Sequence, residues 1–439
     1  MSNLIRNALL LACAGALAWK ASSAQTADAA SSSQSTHGKA QLRMVVILSR
    51  HGVRSPTWTQ ARLDSYSAQP WPSWNVPPGN LTSRGYDLVK QFGSFDRASL
   101  AETGLLATQG CEDAARTYIW VDTDQRTIAS GKALSEGLFP PCPPQVHGLP
   151  EGVNDPLFHP AGKSRDLEAS SNPTKGAGEQ TLTRQHELLD EMQHVLLGCD
   201  PKLACSPARK PALSLLPAER DMAQGAGSNP LTLASTFAED FLLEYADGMP
   251  MNEIGWGNVD EPQLRSFLLL HTGYFERAYR TPAFAHLAAS NMLFHIERTL
   301  EQRVEGKPVD AAIGPADSKL VILAGHDTNI AEVATLLGLH WTLDGRTDDT
   351  PPGMQLAFEL WQDEHGNDSV RISVATQTLK QLREMRPLTA AAPPAREALM
   401  PPGCVASQGA CSWADFRRVA DGAIDKNAVI VAHSNGSEQ

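Results

Sequence analysis

Residues 44–56 are Met44-Val45-Val46-Ile47-Leu48-Ser49-Arg50-His51-Gly52-Val53-Arg54-Ser55-Pro56, an apolar run followed by a histidine set between arginines. The apolar run predicts a buried β-strand, and the histidine comes directly after it. A second apolar run, Leu320 to Ala324, is followed by Gly325-His326-Asp327. In an open α/β sheet, ligands bind at the carboxyl ends of the strands. The two segments therefore predict that two histidines meet at one edge of a sheet.

The overall composition argues for a globular protein that does not bind nucleic acid. The chain has 439 residues, which suggests one large α/β domain with a smaller one, and its hydrophobic fraction of 42% is ordinary. The formal net charge is −12. Non-specific binding to nucleic acid depends on basic patches, which such a chain does not favour.

The N-terminus has the pattern of an export signal. Arg6 precedes the apolar stretch Ala8 to Ala18, and Ser22-Ser23-Ala24 supplies small residues for cleavage, so residues 1–24 are expected to be a signal peptide. Residues 25–41 are expected to form a disordered leader. No later apolar run is long enough to span a bilayer, so we expect a periplasmic or secreted protein without a membrane anchor after signal removal.

The cysteines are typical of an exported protein with disulfides. Removal of Cys13 with the signal leaves six, an even number that allows 15 pairings in principle. Short spacing favours Cys199–Cys205 and Cys404–Cys411 as local pairs, which leaves Cys111 with Cys142. The spacing does not match a zinc site.

The pattern of helices and strands indicates an α/β fold, a mixed sheet flanked by helices, with a mostly helical inserted domain. Helical patterns occur at Leu81–Phe95, His186–Leu197, Leu233–Ala246, Gln263–Tyr279 and Pro282–Gln302. Strand patterns occur at Tyr118–Val121, Leu320–Ala324, Gln355–Trp361 and Val370–Ala375. We therefore expect residues 42–140 and 310–439 to form the α/β domain and residues 141–309 to form the helical insert.

Three arginines are expected near the two histidines. Arg126 lies where the strand at Tyr118 gives way to a helix, and it would join Arg50 and Arg54. Guanidinium forks match the oxygens of phosphate, and three forks exceed what one carboxylate can use. The ligand predicted by this set is a small-molecule phosphate monoester. Asp122 and Asp124, which flank the start of the helix, are interpreted as helix caps.

The chemistry expected of this pocket is phosphoryl transfer. Neutral His51, with a backbone carbonyl at its other nitrogen, would attack phosphorus while the arginines stabilise the charge on the equatorial oxygens. Asp327 would protonate the leaving oxygen, and activity should therefore favour acidic pH. The spacing around His326 and Asp327 does not suggest a metal site, so neither a metal nor another cofactor is expected.

The chain resembles the histidine acid phosphatases, the exported branch of the phosphoglycerate-mutase-like superfamily. The resemblance is carried by residues 50–56 and His326-Asp327, and extends over nearly the whole mature chain. Further matching segments are Trp71-Pro72-Ser73-Trp74, Leu81-Thr82-Ser83-Arg84-Gly85, Asp124-Gln125-Arg126-Thr127, Gly248-Met249-Pro250, Gly255-Trp256-Gly257 and Thr350-Pro351-Pro352-Gly353. The most similar members are the periplasmic acid phosphatase/phytase and glucose-1-phosphatase group of Gram-negative bacteria.

This resemblance implies a role for each matching residue. It makes His51 the phosphorylated nucleophile and Asp327 the proton donor. It assigns phosphate binding to Arg50, Arg54, Arg126 and His326, and it places Thr57 and Thr328 along the pocket. Outer-pocket positions match Glu239, His271 and Arg280. The resemblance also implies the three disulfides Cys111–Cys142, Cys199–Cys205 and Cys404–Cys411.

One position departs from the phytate-active members of that group. They tend to carry a basic residue directly after the threonine of the first motif, where this chain has Trp58. An indole cannot pair with the peripheral phosphates of an inositol polyphosphate, but it can stack on a sugar or aryl group. The sequence therefore leaves phytate, sugar phosphates and aryl phosphates open as substrates.

Other functions compatible with the motifs stay open at this point. A phosphomutase would transfer the phosphoryl group instead of releasing it, although export argues against one. A binding protein that holds phosphate esters without turnover and a metal-dependent hydrolase are further alternatives. The sequence does not indicate the oligomeric state.

Overall fold

The computed structural model describes residues 40–160, 179–200, 230–405 and 409–431. The expected signal peptide, nearly all of the expected leader, and Cys205 lie outside these residues. Within them, eight strands form a mixed sheet. The strands of this sheet are β1 (Gln41–Arg50), β2 (Thr117–Val121), β3 (Val146–Gly148), β4 (Leu320–Gly325), β7 (Gln355–Gln362), β8 (Asp368–Thr376), β9 (Ala395–Leu399) and β10 (Cys411–Ser412). A separate hairpin consists of β5 (Thr342–Leu343) and β6 (Arg346–Thr347).

The sheet order is β10-β8-β7-β1-β4-β2-β3, with β9 paired to β8. β1 is parallel to β4, and β2 is parallel to β4 and β3. β7, β8, β9 and β10 pair in antiparallel fashion. β3 lies within residues 141–309 and extends the sheet at its edge. These pairings confirm the expectation of an α/β fold with a mixed sheet.

β1 lies at the centre of the sheet because both of its faces are apolar. Met44 and Val46 pack into one hydrophobic cluster, and Val45 and Ile47 pack into another on the opposite face. Side chains alternate between faces along a strand, so an uninterrupted apolar run is buried on both sides. The continuous run in the sequence is therefore explained by helices that cover the sheet on both faces.

The helices divide into those that cover the sheet and those that surround a second apolar cluster. The described helices are α1 (Gln60–Asp64), α2 (Ser83–Glu102), α3 (Gln125–Leu138), α4 (Glu179–Leu196), α5 (Pro230–Ala246), α6 (Glu261–Ala278), α7 (Pro282–Glu305), α8 (Asp327–Leu336), α9 (Leu379–Glu384) and α10 (Trp413–Ala423). Residues of α2 and α3 pack on one sheet face. Residues of α7, α8 and α10 pack on the other.

A separate cluster is formed mainly by α4, α5 and α6. Trp71 stacks on Phe241 with the ring planes 19° apart, and its indole is 4% exposed. This loop tryptophan therefore anchors the segment that follows α1 to helix α5. The contact matters for the site because α5 also carries Glu239, which reaches the arginines described below.

Two of the three expected disulfides lie within the described residues and are confirmed. Cys111 is bonded to Cys142 and Cys404 to Cys411, with Cα–Cα distances of 5.9 and 5.3 Å. Cys199 is also disulfide-bonded. The expected partner of Cys199 lies outside the described residues. In the same described ranges, no helix is both long enough and apolar enough to cross a bilayer.

Candidate active site

The parallel strands bring both histidine motifs to one edge of the sheet. Arg50, the last residue of β1, is in register with Gly325 at the end of β4. The amide of His51 donates to the carbonyl of Gly325 over 2.9 Å, and its own carbonyl accepts from the amide of Gly353 over 2.9 Å. His51 is thus fixed through its backbone on two sides, and both histidine motifs lie at the edge of the sheet that the two apolar runs predicted.

The His51 ring is held in one tautomer. Its Nδ1 lies 2.8 Å from the carbonyl oxygen of Gly52, so this nitrogen carries the proton and Nε2 has the free lone pair. Burial, together with the charges of Arg126, Arg50 and Arg54, places the pKa of His51 well below its usual range. The ring therefore stays neutral in mildly acidic solution and keeps the lone pair on Nε2.

Gly52 permits this close packing because it has no side chain. A Cβ at this position would lie 2.6 Å from Val89 Cγ2 and 2.8 Å from the carbonyl oxygen of Gly85. Its amide donates to Ser130 Oγ over 3.0 Å. A larger residue here would push the segment after β1 away from α2 and displace the His51 ring.

Glu239 joins two of the phosphate-binding candidates. Its Oε2 lies 2.8 Å from Arg54 Nη2, and its Oε1 accepts from Arg50 Nη2. Burial raises the pKa of Glu239, but the charges of Arg54 and Arg50 outweigh it and hold the pKa well below its usual range. Glu239 is therefore an anion that occupies the guanidinium forks in the absence of another anion.

Asp327 lies beside the same arginine. Its Oδ2 is 2.8 Å from Arg50 Nη2, and its Oδ1 accepts from the amide of Thr328 over 2.8 Å. The carboxylate begins helix α8, directly after His326. The structure thus places Asp327 next to Arg50.

Arg126 in α3 and His326, which directly follows β4, face each other. Arg126 Nη2 is 3.4 Å from His326 Nδ1, and the His326 ring lies 5.6 Å from the His51 ring between centroids. His326 Nε2 lies 2.6 Å from Asp122 Oδ2. The six residues that the motifs predicted, Arg50, His51, Arg54, Arg126, His326 and Asp327, are therefore brought together.

The prediction that Asp122 and Asp124 cap the following helix is wrong for their side chains. Asp124 is the N-cap residue of α3, but its side chain makes no capping hydrogen bond and lies 2.5 Å from Arg126 Nη2. Asp122 is fully buried and contacts His326. Local spacing resembled a cap, whereas Arg126 in α3 pairs with Asp124, and His326 at the start of α8 pairs with Asp122.

His159 was missed by the motif analysis. Its Nε2 lies 2.7 Å from Asp122 Oδ2, the same oxygen that His326 contacts. Within the described ranges, Asp122, His159 and His326 are the one set whose histidine and carboxylate atoms lie within 4.8 Å of one another. Hydrogen bonds among the three account for this convergence. A histidine in a loop far from both motifs gives no signal in the sequence.

The surroundings of Trp58 differ from the expectation for this residue. The guanidinium carbon of Arg62 lies 3.5 Å from the centroid of the Trp58 ring, so one indole face is covered. The ring also packs on Tyr66 and Phe237. A substrate ring can therefore not stack on that face while Arg62 remains there, and Arg62 supplies a positive charge next to the position where a basic residue was absent.

The remaining outer-pocket candidates lie at different distances from the arginines. A Cβ on Gly79 would lie 3.7 Å from both Arg126 Nη1 and Thr57 Cγ2, so both side chains border Gly79. His271 contacts Ser235 Oγ over 2.9 Å, and its charge acts on Glu239. Thr328 is next to Asp327.

Arg280 has contacts of a different kind. It donates to the carbonyl of Leu339 over 3.0 Å and lies 3.3 Å from Asp348. Its guanidinium carbon is 5.0 Å from the centroid of the Trp341 ring. Among the described residues, no hydrogen bond or ion pair joins Arg280 to Arg50, Arg54 or Arg126, so its assignment rests on the resemblance alone.

Comparison with known proteins agrees with this geometry. Residues 41–375 match the family described as histidine phosphatase superfamily (branch 2). Phytase AppA of Escherichia coli K12 is 34% identical over 397 residues, which are 86% of this chain and 91% of that protein. The glucose-1-phosphatase of Salmonella typhimurium is 29% identical over 399 residues, 88% of this chain and 93% of that protein.

Solved structures show the same fold. The Hafnia alvei phytase in complex with myo-inositol hexakis sulphate has a TM-score of 0.76 and 35% identity, covering 89% of this chain and 99% of that one. The chain thus belongs to the histidine phosphatase superfamily, branch 2. The expectation of a histidine-type acid phosphatase is confirmed at the level of the family.

Proposed function

We propose that the protein hydrolyses phosphate monoesters in two steps, with a phosphoryl group carried on His51. The observation that supports this most is the neutral His51 ring, whose Nδ1 proton is held by the Gly52 carbonyl at 2.8 Å. Nε2 is left with its lone pair, and Arg50, Arg54 and Arg126 surround the ring with positive charge. This combination suits attack on a phosphate dianion, because the arginines bind the oxygens that carry the developing charge.

In the first step, Nε2 of His51 forms a bond to phosphorus as the bond to the leaving oxygen breaks. Asp327 in its acid form gives a proton to that oxygen, which leaves as an alcohol. Asp327 contacts Arg50 over 2.8 Å, and the arginine is a phosphate ligand in this proposal. A bound phosphate dianion would draw the charge of Arg50 to itself and would thereby favour protonation of Asp327.

In the second step, Asp327 acts as a base. It takes a proton from a water molecule, whose oxygen attacks phosphorus as the bond to Nε2 of His51 breaks. Inorganic phosphate leaves, and the ring is again neutral. Removal of one of the three arginines or of Asp327 should therefore slow both steps, but by different factors.

The substrate class proposed is phytate or a sugar phosphate. The relatives named phytase and glucose-1-phosphatase support both, and the Hafnia phytase binds an inositol hexakis sulphate. Arg62, stacked on Trp58, supports the polyphosphorylated alternative because it is an exposed cation beside the position where phytate-active members tend to carry a basic residue. Substrates with several phosphates would gain from this charge, whereas a monophosphate of a simple alcohol would not.

We also propose the division expected from the sequence, in which residues 42–140 and 310–439 hold the phosphate and the helices of residues 141–309 cover it. The support is Glu239, which reaches from α5 to Arg50 and Arg54. Export to the periplasm or the medium is proposed as well, since disulfides such as Cys111–Cys142 persist in oxidising compartments.

The proposed function is tested by phosphate release at acidic pH in the presence of a chelator. Phytate, glucose 1-phosphate and nitrophenyl phosphate are compared, and the His51→Ala variant is the blank. Release that is lost in the variant, while the variant still binds phosphate, supports the proposal. Release that persists in the variant contradicts it. Transfer of the phosphoryl group to a second alcohol without phosphate release would indicate a phosphomutase.

A further inference from the structure

Asp122 is shared between two histidines through a single carboxylate oxygen. Its Oδ2 lies 2.6 Å from His326 Nε2 and 2.7 Å from His159 Nε2. The two imidazole rings are 5.2 Å apart between centroids. Asp122 is fully buried, whereas the His159 side chain is 25% exposed. One buried carboxylate thus connects a pocket histidine to a histidine that solvent reaches.

This hydrogen bonding fixes which nitrogen of His326 carries a proton. Nε2 donates to Asp122, so in the neutral ring Nδ1 has a lone pair, and Nδ1 is the nitrogen that faces Arg126 at 3.4 Å. The unprotonated oxygens of a phosphate dianion accept hydrogen bonds and offer no proton. His326 can therefore donate to bound phosphate through Nδ1 only after it gains a second proton and becomes an imidazolium.

Several groups raise or lower the pKa of the His326 ring. Burial is the largest cause that lowers the pKa of His326, the hydrogen bond to Asp122 raises it, and the charges of Arg126 and His159 lower it. Asp124 Oδ2 lies 3.6 Å from His326 Nε2. His51, directly after β1, faces the His326 ring, and Asp327 follows His326 as the first residue of α8. Of these groups, His159 bonds to the same carboxylate oxygen as His326, Asp122 Oδ2, and the two histidines compete for it.

We propose that His159 is a positioning residue for the phosphate site: it acts through Asp122 and limits the pH range over which His326 donates to phosphate. The proposal rests on the proposed role of His326 as a phosphate ligand. Because a carboxylate that accepts two N–H groups holds each less strongly than it would hold one, removal of the His159 donor leaves Asp122 Oδ2 to His326 alone. The imidazolium of His326 is then stabilised and persists to higher pH.

Three variants separate this effect from a loss of packing. His159→Phe keeps a ring of similar size and removes the donor. His159→Gln keeps a neutral N–H donor. His147→Phe is the matched control, because His147 is a partly exposed histidine on β3 that stacks on Tyr118 with ring centroids 4.6 Å apart. Thermal melts of all three show whether any variant is unfolded.

The measurement is the inhibition constant of inorganic phosphate as a function of pH, from about pH 4 to about pH 8, the range that brackets ordinary histidine titration. In His159→Phe, the pH at which phosphate affinity declines should rise by about one unit, the size of one charge–hydrogen-bond effect. Phosphate should therefore bind about tenfold more tightly near neutral pH and equally well at acidic pH. His159→Gln and His147→Phe should follow the wild type.

A second readout separates failure of this proposal from failure of the proposed function. The carbon-13 NMR titration of the His326 ring, assigned with a His326→Ala variant, reports its protonation without substrate. An unchanged His326 titration in His159→Phe overturns the proposal, and so does a phosphate affinity reduced by the same factor at every pH. A shifted titration with phosphate affinity that is unaffected in His326→Ala would instead show that the proposed phosphate-binding role is wrong.

Discussion

Glu239 Oε2 lies 2.8 Å from Arg54 Nη2, and the same carboxylate bonds to Arg50 through its other oxygen. A helix of one part of the molecule thus supplies an anion to the arginines at the end of β1. These guanidinium groups are already charged and already oriented before any phosphate arrives. The Glu239 carboxylate accepts hydrogen bonds from both guanidinium groups. It therefore competes with a phosphate for the same N–H donors.

Glu239→Gln should therefore bind phosphate more tightly and be less stable. Loss of the negative charge removes repulsion toward the phosphate dianion, and we expect the inhibition constant of inorganic phosphate to fall several-fold. Folding should be weakened by about 1–3 kcal/mol, because buried arginines lose a charged partner. Phosphate inhibition and urea unfolding check the two effects. Weaker phosphate binding in a folded variant would mean that Glu239 positions the arginines more than it competes with the ligand.

Asp327→Asn should reveal the leaving-group dependence of the first step. An alkyl phosphate needs protonation of its leaving oxygen, and we expect its first turnover to slow by about 10²–10³, within the range of general acid catalysis. Nitrophenol leaves as a stable anion, so its release in the first turnover should slow much less. Rapid-quench measurement of a single turnover compares the two. Equal losses for both substrates would exclude Asp327 as the acid.

Two buried carboxyls on α5 should make stability depend on pH. Asp240 and Glu244 are one helical turn apart and 2% and 0% exposed. Burial raises the pKa of both well above the usual range. Arg54 partly opposes this for Asp240, and the Gly255 amide partly opposes it for Glu244. A raised pKa means that the folded state binds the proton more tightly. The resulting stabilisation is complete below about pH 4 and is lost as the pH rises through the folded-state pKa.

The double variant Asp240→Asn with Glu244→Gln removes both titrations without changing side-chain size. Its free energy of unfolding should exceed that of the wild type increasingly as the pH rises from about 4 to about 7, by up to about 1.4 kcal/mol per pH unit for each group. Urea unfolding at each pH gives the difference between the two proteins and cancels all other titrating groups. A constant difference across this range would show that neither carboxyl holds its proton in the folded protein.

Arg62→Gln should affect polyphosphorylated substrates selectively. Arg62 stacks on Trp58 and is exposed, so its interaction with a peripheral phosphate is screened by solvent and salt. We expect the KM for phytate to rise about threefold, the effect of roughly 0.6 kcal/mol at an exposed site, with the KM for nitrophenyl phosphate unchanged. Arg386→Gln, at an exposed arginine that is paired with Glu384, is the control. Equal KM changes for both substrates would contradict a role in substrate selection.

The sequence predicted the elements that carry the site because their signals are local. The apolar runs before Arg50 and before His326 required buried strands, and adjacent parallel strands place both ends at one edge. The helices α5, α6 and α7 were also expected within a few residues of their observed bounds. Periodicity was sufficient for these elements, since each buries an apolar face.

Contacts between distant segments could not be predicted in this way. Glu239 is separated from Arg50 by 189 positions, and neither spacing nor composition links them. Asp122 looked like a helix cap because its only visible context was the following helix, whereas its partners His159 and His326 come from other strands and loops. One face of the Trp58 ring is covered because Arg62 of α1 lies over it. Helix and loop propensities do not predict such a side-chain contact.

The most direct test of the account is to trap the phosphoryl group on the protein. The wild type and His51→Ala are mixed with phosphorus-32-labelled nitrophenyl phosphate, in chelator, and quenched in alkali within the first turnover. The account predicts label on the wild type that is stable to alkali and released by acid, as expected of phosphohistidine, and more label on Asp327→Asn because the second step is slowed. No label should appear on His51→Ala. Turnover by the wild type without protein-bound label, together with activity in His51→Ala, would contradict a phosphohistidine at His51.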